Sequence, residues 1–168
     1  MIDFYLPTAE DGFAVNRLIA ASPPLDTNSV YCNLLQCTHF ADTSICAKSE
    51  GKLSGFISGY LIPFRPNTLF IWQIVVAESV RGRGLAVQMI HELLLRPVCQ
   101  DVEYLETTIT RSNEASWALF ARLSKDLGAD AEVSVAFANE EHFHGGHETE
   151  QLLRMGPFSQ VNLTRRPT

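Results

Sequence analysis

The sequence contains no apolar run approaching the roughly 18 residues that a membrane-spanning helix needs. Its first residues are acidic and amphipathic rather than basic then apolar, so no secretory leader is expected. The four cysteines, Cys32, Cys37, Cys46 and Cys99, make no Cys-x-x-Cys pair and no regular metal spacing. Zinc and redox chemistry are therefore disfavoured, and reduced, packed thiols are expected. Positive charge is scarce: 13 Lys and Arg stand against 19 Asp and Glu, a formal charge of -6. That balance argues against a nucleic-acid partner and mildly favours a cationic substrate. There are no internal repeats. What is present is 46% hydrophobic content over 168 residues, enough to bury one core. The expectation is one cytoplasmic domain over residues 1–158, with 159–168 as a frayed, flexible tail.

Periodicity and punctuation give alternating strands and helices. Residues 2–6 alternate as a strand, and Thr8-Ala9-Glu10-Asp11 resembles a capping box opening a helix that buries Phe13, Leu18 and Ile19. Pro23-Pro24 ends it. Asp26-Thr27-Asn28-Ser29 offers several N-caps for a second helix carrying Val30, Leu34, Leu35 and Phe40. Strands 44–49 and 53–62 form a hairpin across Glu50-Gly51-Lys52, 63–68 is a loop, and 69–76 is the central strand. A helix over 85–95, a strand over 104–110, a helix over 114–127 closed by Gly128, and strands 132–137 and 151–155 complete the pattern. Residues 138–147 read as a polar loop. The order is mixed α/β, with a central twisted sheet flanked by helices.

The most informative segment is Arg81-Gly82-Arg83-Gly84-Leu85-Ala86, between the central strand and the helix that follows. A glycine turn opening a helix aims backbone N–H groups at one point on the positive end of the helix dipole, which suits a pyrophosphate. It lacks the third glycine and the distant acidic residue of a dinucleotide fingerprint, and the Gly-Lys-Ser/Thr ending of a Walker loop. Its pattern, Arg-x-x-Gly-x-Ala, resembles the pyrophosphate loop of the GCN5-related N-acetyltransferase (GNAT) superfamily. Asn113-Glu114-Ala115-Ser116-Trp117-Ala118-Leu119-Phe120 resembles that superfamily's second motif, in which an asparagine opens a helix along the pantetheine arm.

The superfamily resemblance implies a fold with a mixed, mostly antiparallel twisted sheet of about seven strands and about four helices. It implies acetyl-CoA as cosubstrate, no metal, and direct transfer to an amine in a ternary complex. The cofactor-binding set it implies is Ile74, Val75, Val76, Arg81, Gly82, Arg83, Gly84, Leu85, Ala86, Asn113 and Phe120. The backbone of Ile74-Val75-Val76 pairs with the pantetheine, and one of its amides is placed to stabilise an oxyanion. An aliphatic ammonium must lose its proton before attack, at a cost of roughly 4 kcal/mol at pH 7, so a base is expected.

Three further segments narrow the resemblance. Asp26-x-Asn28-Ser29-x-Tyr31, Trp72-Gln73 ahead of the glycine loop, and Gly145-Gly146-His147-Glu148-x-Glu150 before the last strand look like the L-2,4-diaminobutyrate acetyltransferases of ectoine biosynthesis. The likeness runs from Pro7 to Pro157. It implies transfer to the 4-amino group of L-2,4-diaminobutyrate, giving the N4-acetyl product, by a homodimer with its last strand and loop near the interface. A substrate with two ammonium groups and a carboxylate needs acceptors and donors. Asp26 and Glu148 are the candidates for the amines, Trp72 for the carbon chain, and Asn28, Ser29, Tyr31 and Gln73 for the remaining polar contacts. Glu148 is the first choice of general base and His147 the second.

Each assignment has a plainer competitor. Asp26 can simply cap the second helix, Trp72 and Tyr31 can be core aromatics, and His142, His144 and His147 can be surface groups. Where many superfamily members carry a proton-donating tyrosine, this chain has Phe120. The thiolate proton then falls to water, the substrate's ammonium or a hydroxyl such as that of Tyr31. The rival functions are acetylation of another small amine or amino acid, and a silent acyl-CoA-binding module.

Overall fold

Residues 1–159 are described by the computed structural model. Their seven strands follow the hydrogen-bonded order β1-β2-β3-β4-β5-β7-β6, a mixed sheet. Two compact units divide the chain: Met1–Leu61 with Ile71–Gln100, and Ile62–Phe70 with the chain from Asp101 onward.

In the first unit, β1 (Ile2–Tyr5) leads through a 3₁₀ turn into α1 (Gly12–Ala20). The capping box forms: Thr8 donates its backbone N–H to Asp11 Oδ2 at 2.9 Å, and Tyr5 donates to the other carboxylate oxygen at 2.9 Å. α1 buries Val15 and Ile19, with Leu18 packed partly against the core, but Phe13 is 64% exposed. The apolar stripe is thus carried by 15, 18 and 19, and the expected burial of Phe13 does not occur. α2 (Val30–Thr38) packs on α1 where a Cβ on Gly12 would stand 2.7 Å from Leu34 Cδ2 and 3.2 Å from Leu34 Cα, a close approach that glycine eases.

β2 (Ile45–Ser49) and β3 (Lys52–Ile62) form the expected hairpin, tightened by positive φ at both Glu50 (52°) and Gly51 (75°). β4 (Arg65–Val76) is followed by α3 (Leu85–Leu94), whose buried face is Leu85, Val87, Met89, Ile90, Leu93 and Leu94. Val15, Ile19, Cys37, Cys46, Phe56 and Val75 close around one another as the core of this unit.

The second unit holds β5 (Tyr104–Thr110), α4 (Glu114–Leu127), β6 (Ala131–Phe137), α5 (Asn139–Phe143) and β7 (Glu150–Met155). β7 runs antiparallel to both β5 and β6, so the last strand inserts between the two before it. Gly128, at φ 61°, ends α4 in the left-handed conformation its position calls for.

Two loops expected from the sequence are structured. Strand β4 begins at Arg65 instead of 69, because 65–70 has partners of its own: Asn67 O accepts from Glu103 N at 2.9 Å, and Arg65 is paired with Glu106. Within 138–147, residues 139–143 form α5, a fifth helix where about four were expected, closed by His144 at φ 50°. Of the tail expected at 159–168, residues 160–168 lie outside the described residues.

The buried carboxylate of the second unit is Glu106, 2% exposed. It accepts from Arg65 Nη2 at 3.0 Å and from Arg154, its direct cross-strand partner on β7. The Arg154 guanidinium lies 3.9 Å over the Tyr104 ring. Burial raises the Glu106 carboxyl, the hydrogen bonds and charges of the two arginines lower it, and the net displacement is downward.

Candidate functional site

The anion cradle is built by the end of β4. After Val76 a 3₁₀ turn over Glu78–Val80 carries the chain into Arg81, whose Nε donates back to Val76 O at 2.9 Å. Gly82 (φ 75°) and Gly84 (φ 73°) both take the left-handed conformation, and Gly84 is the N-cap of α3. A Cβ at Gly82 would meet nothing within 4 Å, so the dihedral, not crowding, calls for glycine there. Gly84, the N-cap, has no side chain with which to cap α3. Its first-turn amides therefore keep their donors directed away from the helix, on the positive end of the dipole. Arg81 and Arg83 are exposed at this rim. These features fit the pyrophosphate of acetyl-CoA. Of the backbone groups at Ile74, Val75 and Val76 expected to face the pantetheine, the Val76 carbonyl already accepts from Arg81.

The candidate substrate residues of the first unit come together around β4. Gln73 donates from Nε2 to Asp26 O at 3.0 Å and accepts from Asn28 Nδ2 at 2.9 Å, so the 26–28 segment is clasped to the strand by one amide. Trp72 is 44% exposed, which removes it from the core, and its ring meets the edges of Phe40 at 6.4 Å and Tyr60 at 6.3 Å. Tyr31 is 70% exposed and is not a core aromatic either. The cap of α2 is Ser29, whose Oγ accepts from Cys32 N at 3.1 Å. Asp26 therefore does not serve as the cap.

In the second unit, Asn113 caps α4, accepting from Ser116 N at 3.1 Å, and Phe120 is buried on the same helix. Ser112 donates from Oγ to Glu148 Oε2 at 2.5 Å. His147 Nδ1 lies 2.7 Å from Glu148 O. A carbonyl only accepts, so Nδ1 donates, and Nε2 on the other side of the ring lies 3.8 Å from Glu150 Oε1. Asn139 Nδ2 donates to His147 O at 2.5 Å, and the Phe143 ring lies 4.7 Å from the imidazole. His142 turns away to accept from Ala138 N at 2.9 Å. Among the described residues no group of three or more His, Cys, Asp or Glu could hold a metal ion, and no helix is long and apolar enough to cross a membrane.

Sequence reasoning missed Phe40 and Tyr60 as neighbours of Trp72, Ser112 as the partner of Glu148, and Asn16, Asn33 and Gln36. The one available signal was polar residues at i and i+3 within the α2 stretch, Asn33 and Gln36, which turn out to be its buried face together with Cys37.

Comparison with known proteins gives consistent matches. The model of the acetyltransferase (GNAT) family matches residues 14–124. The chain is 54% identical over 155 residues to the L-2,4-diaminobutyric acid acetyltransferase of Methylotuvimicrobium alcaliphilum, covering 92% of this chain and 90% of that one. It is 49% identical to the enzyme of that name from Vibrio cholerae, over 95% of this chain and 91% of the other. Among solved structures it is similar to the diaminobutyrate acetyltransferase EctA of Paenibacillus lautus in complex with its substrate L-2,4-diaminobutyric acid and coenzyme A. That match has a TM-score of 0.90 at 38% identity, covering 94% of this chain and 96% of that chain.

Proposed function

The chain belongs to the acetyltransferase (GNAT) family, and from that premise we infer that it transfers acetyl from acetyl-CoA to the 4-amino group of L-2,4-diaminobutyrate in ectoine biosynthesis. The observation that carries this reading is the clasp of Asp26 and Asn28 onto Gln73, next to Trp72 on the same strand. It gathers a carboxylate, carbonyls and an aromatic face, the chemistry that a short dication with one carboxylate requires.

Acetyl-CoA supplies the activated acetyl group as a thioester. The Arg81–Ala86 turn and the N-terminus of α3 hold its pyrophosphate, and the backbone of Ile74, Val75 and Val76 aligns the arm. Asp26 binds an ammonium group, Trp72 covers the carbon chain, and Asn28, Ser29 and Tyr31 supply the remaining polar contacts. Glu148 Oε accepts the proton of the reacting amine, with His147 Nε2 as the second candidate. Phe120 has no proton to give, so the Tyr31 hydroxyl, exposed at the start of α2, is the candidate proton donor to the leaving sulfur.

Residues 1–158 act as one cytoplasmic catalytic domain in this reading, and the protein works as a homodimer. Strand β6 supports the dimer, because it is the end strand of the sheet order and leaves Val133, Val135 and Phe137 about half exposed on alternate positions. Light scattering of the purified protein tests it; a monomeric mass overturns it.

The function is tested by thiol release with a panel of amines. Turnover should be strongest with 2,4-diaminobutyrate and fall with 2,3-diaminopropionate and ornithine. Preference for a diamine without a carboxylate would assign the chain to a different acetyltransferase.

A further inference from the structure

Three amides of α1 and α2, Asn16, Asn33 and Gln36, are used by none of the roles above, and they connect in a line to the Asp26–Ser29 segment. Asn33 and Gln36 are fully buried on α2. Asn33 Nδ2 donates to Gln36 Oε1 at 2.8 Å, and Asn33 Oδ1 accepts from Asn16 Nδ2 of α1 at 2.9 Å. The second hydrogen of Asn16 Nδ2 goes to the backbone carbonyl of Asn28 at 2.8 Å. From Asn28 the line continues through its side chain to Gln73, and from Gln73 to the carbonyl of Asp26. Five side-chain amides from α1, α2, the 26–29 segment and β4 are joined, each link running from an amide N–H to an oxygen.

Such a line is a poor choice for stability alone. Apolar residues would fill the α1–α2 interface without leaving a donor stranded, and Gln36 Nε2 is buried here without a partner among the described residues. Amides differ from apolar filling in direction: each bond fixes one atom relative to the next. The segment they reach is flanked by two backbone bonds, Leu25 N to Ser22 O at 3.2 Å and Asn33 N to Ser29 O at 3.2 Å.

We propose that Asn16 and Asn33 are positioning residues that set which amino acid the enzyme accepts. By holding the Asn28 carbonyl they fix the 26–28 backbone against Gln73, and so fix the Asp26 carboxylate relative to Trp72. That spacing is the ruler for the length of the carbon chain. The inference rests on the reading that Asp26 and Trp72 hold the diamino acid.

Asn16→Asp is the decisive variant. It is isosteric, but it replaces the double donor by an oxygen facing two acceptor oxygens. The expected result is a rise of roughly 10- to 100-fold in KM for 2,4-diaminobutyrate, the scale of one or two lost hydrogen bonds, with the KM for acetyl-CoA unchanged. The ratio of kcat/KM between diaminobutyrate and ornithine should fall by about 10-fold, a change that lowered stability alone does not produce. Asn33→Leu, which fills the site without polarity, should relax the same ratio if Asn16→Asp does not fold. Asp26→Asn separates the two levels of the argument. If Asp26→Asn raises the diaminobutyrate KM while both amide variants keep the wild-type selectivity ratio, the positioning role is overturned. If Asp26→Asn leaves KM unchanged, the substrate reading beneath it fails.

Discussion

Ser112 Oγ donates a 2.5 Å hydrogen bond to Glu148 Oε2, joining the residue before the α4 cap to the carboxylate chosen as base. The bond engages one carboxylate oxygen, and in the role proposed for Glu148 the other takes the proton of the amine. Glu148→Gln should lower kcat by about 10²- to 10⁴-fold with little change in coenzyme affinity, the range expected for loss of a positioned base. Ser112→Ala should cost less, and it should add nothing once Glu148 is already Gln. Thiol-release kinetics on the two single variants and the double variant test this. A wild-type rate in Glu148→Gln removes the residue from the role.

The glycine turn makes a separate prediction about binding. Gly84 sits at φ 73°, where a residue with a Cβ costs about 1–2 kcal/mol and a β-branched one more. Gly84→Val would also place methyl groups over the amides that open α3. Calorimetric titration should find acetyl-CoA affinity lost while circular dichroism shows the fold kept. Retained affinity would place the pyrophosphate elsewhere.

What the sequence made legible follows from how local each cause is. The helix over Glu114–Leu127 was bounded correctly at both ends because its cap, Asn113, and its stop, Gly128, are chemistry within one turn. The turn at Gly82 and Gly84 was equally local. The insertion of β7 between β5 and β6 depends on pairing across tens of residues, and nothing within the strand announces it. The buried face of α2 escaped for a related reason. A count of apolar residues assigns Val30 to the inside, yet Val30 is 37% exposed and Asn33 and Gln36 are buried, because Asn16, 17 residues away, provides the hydrogen bond that makes their burial affordable. Ser112 and Glu148, 36 residues apart, were invisible as a pair in the same way.

The thiols give a prediction independent of function. Burial pushes Cys37 and Cys46 up to about 12 and Cys99 up to about 11, while Cys32, half-buried at the start of α2, is raised by burial without being enclosed. Since the thiolate is the reactive form, Ellman's reagent at pH 8 should find one slowly reacting thiol in the native protein and four in denaturant. Cys32→Ser should abolish the native reaction. Fast labelling of two or more thiols would contradict this packing.

The cluster of Glu106 with Arg65 and Arg154 ties stability to acid pH. In the folded state the Glu106 carboxyl lies below its ordinary value of 4.5: burial opposes ionisation, but the two arginines outweigh it. A depressed carboxyl contributes stability that is fully present above the unfolded value and is lost as pH falls through the folded one. The melting temperature should therefore hold from pH 7 to about 5 and drop below pH 4.5. Glu106→Gln should melt lower at pH 7 and show a shallower fall in acid, because its charge no longer contributes to the slope. Arg154→Met leaves a carboxylate 2% exposed with only Arg65, itself 47% exposed on its side chain, to compensate it, and should cost about 1–3 kcal/mol at pH 7. Thermal unfolding of the three proteins at pH 7 and pH 4 decides the matter. An acid slope in Glu106→Gln equal to that of the wild type would assign the acid sensitivity to other carboxylates.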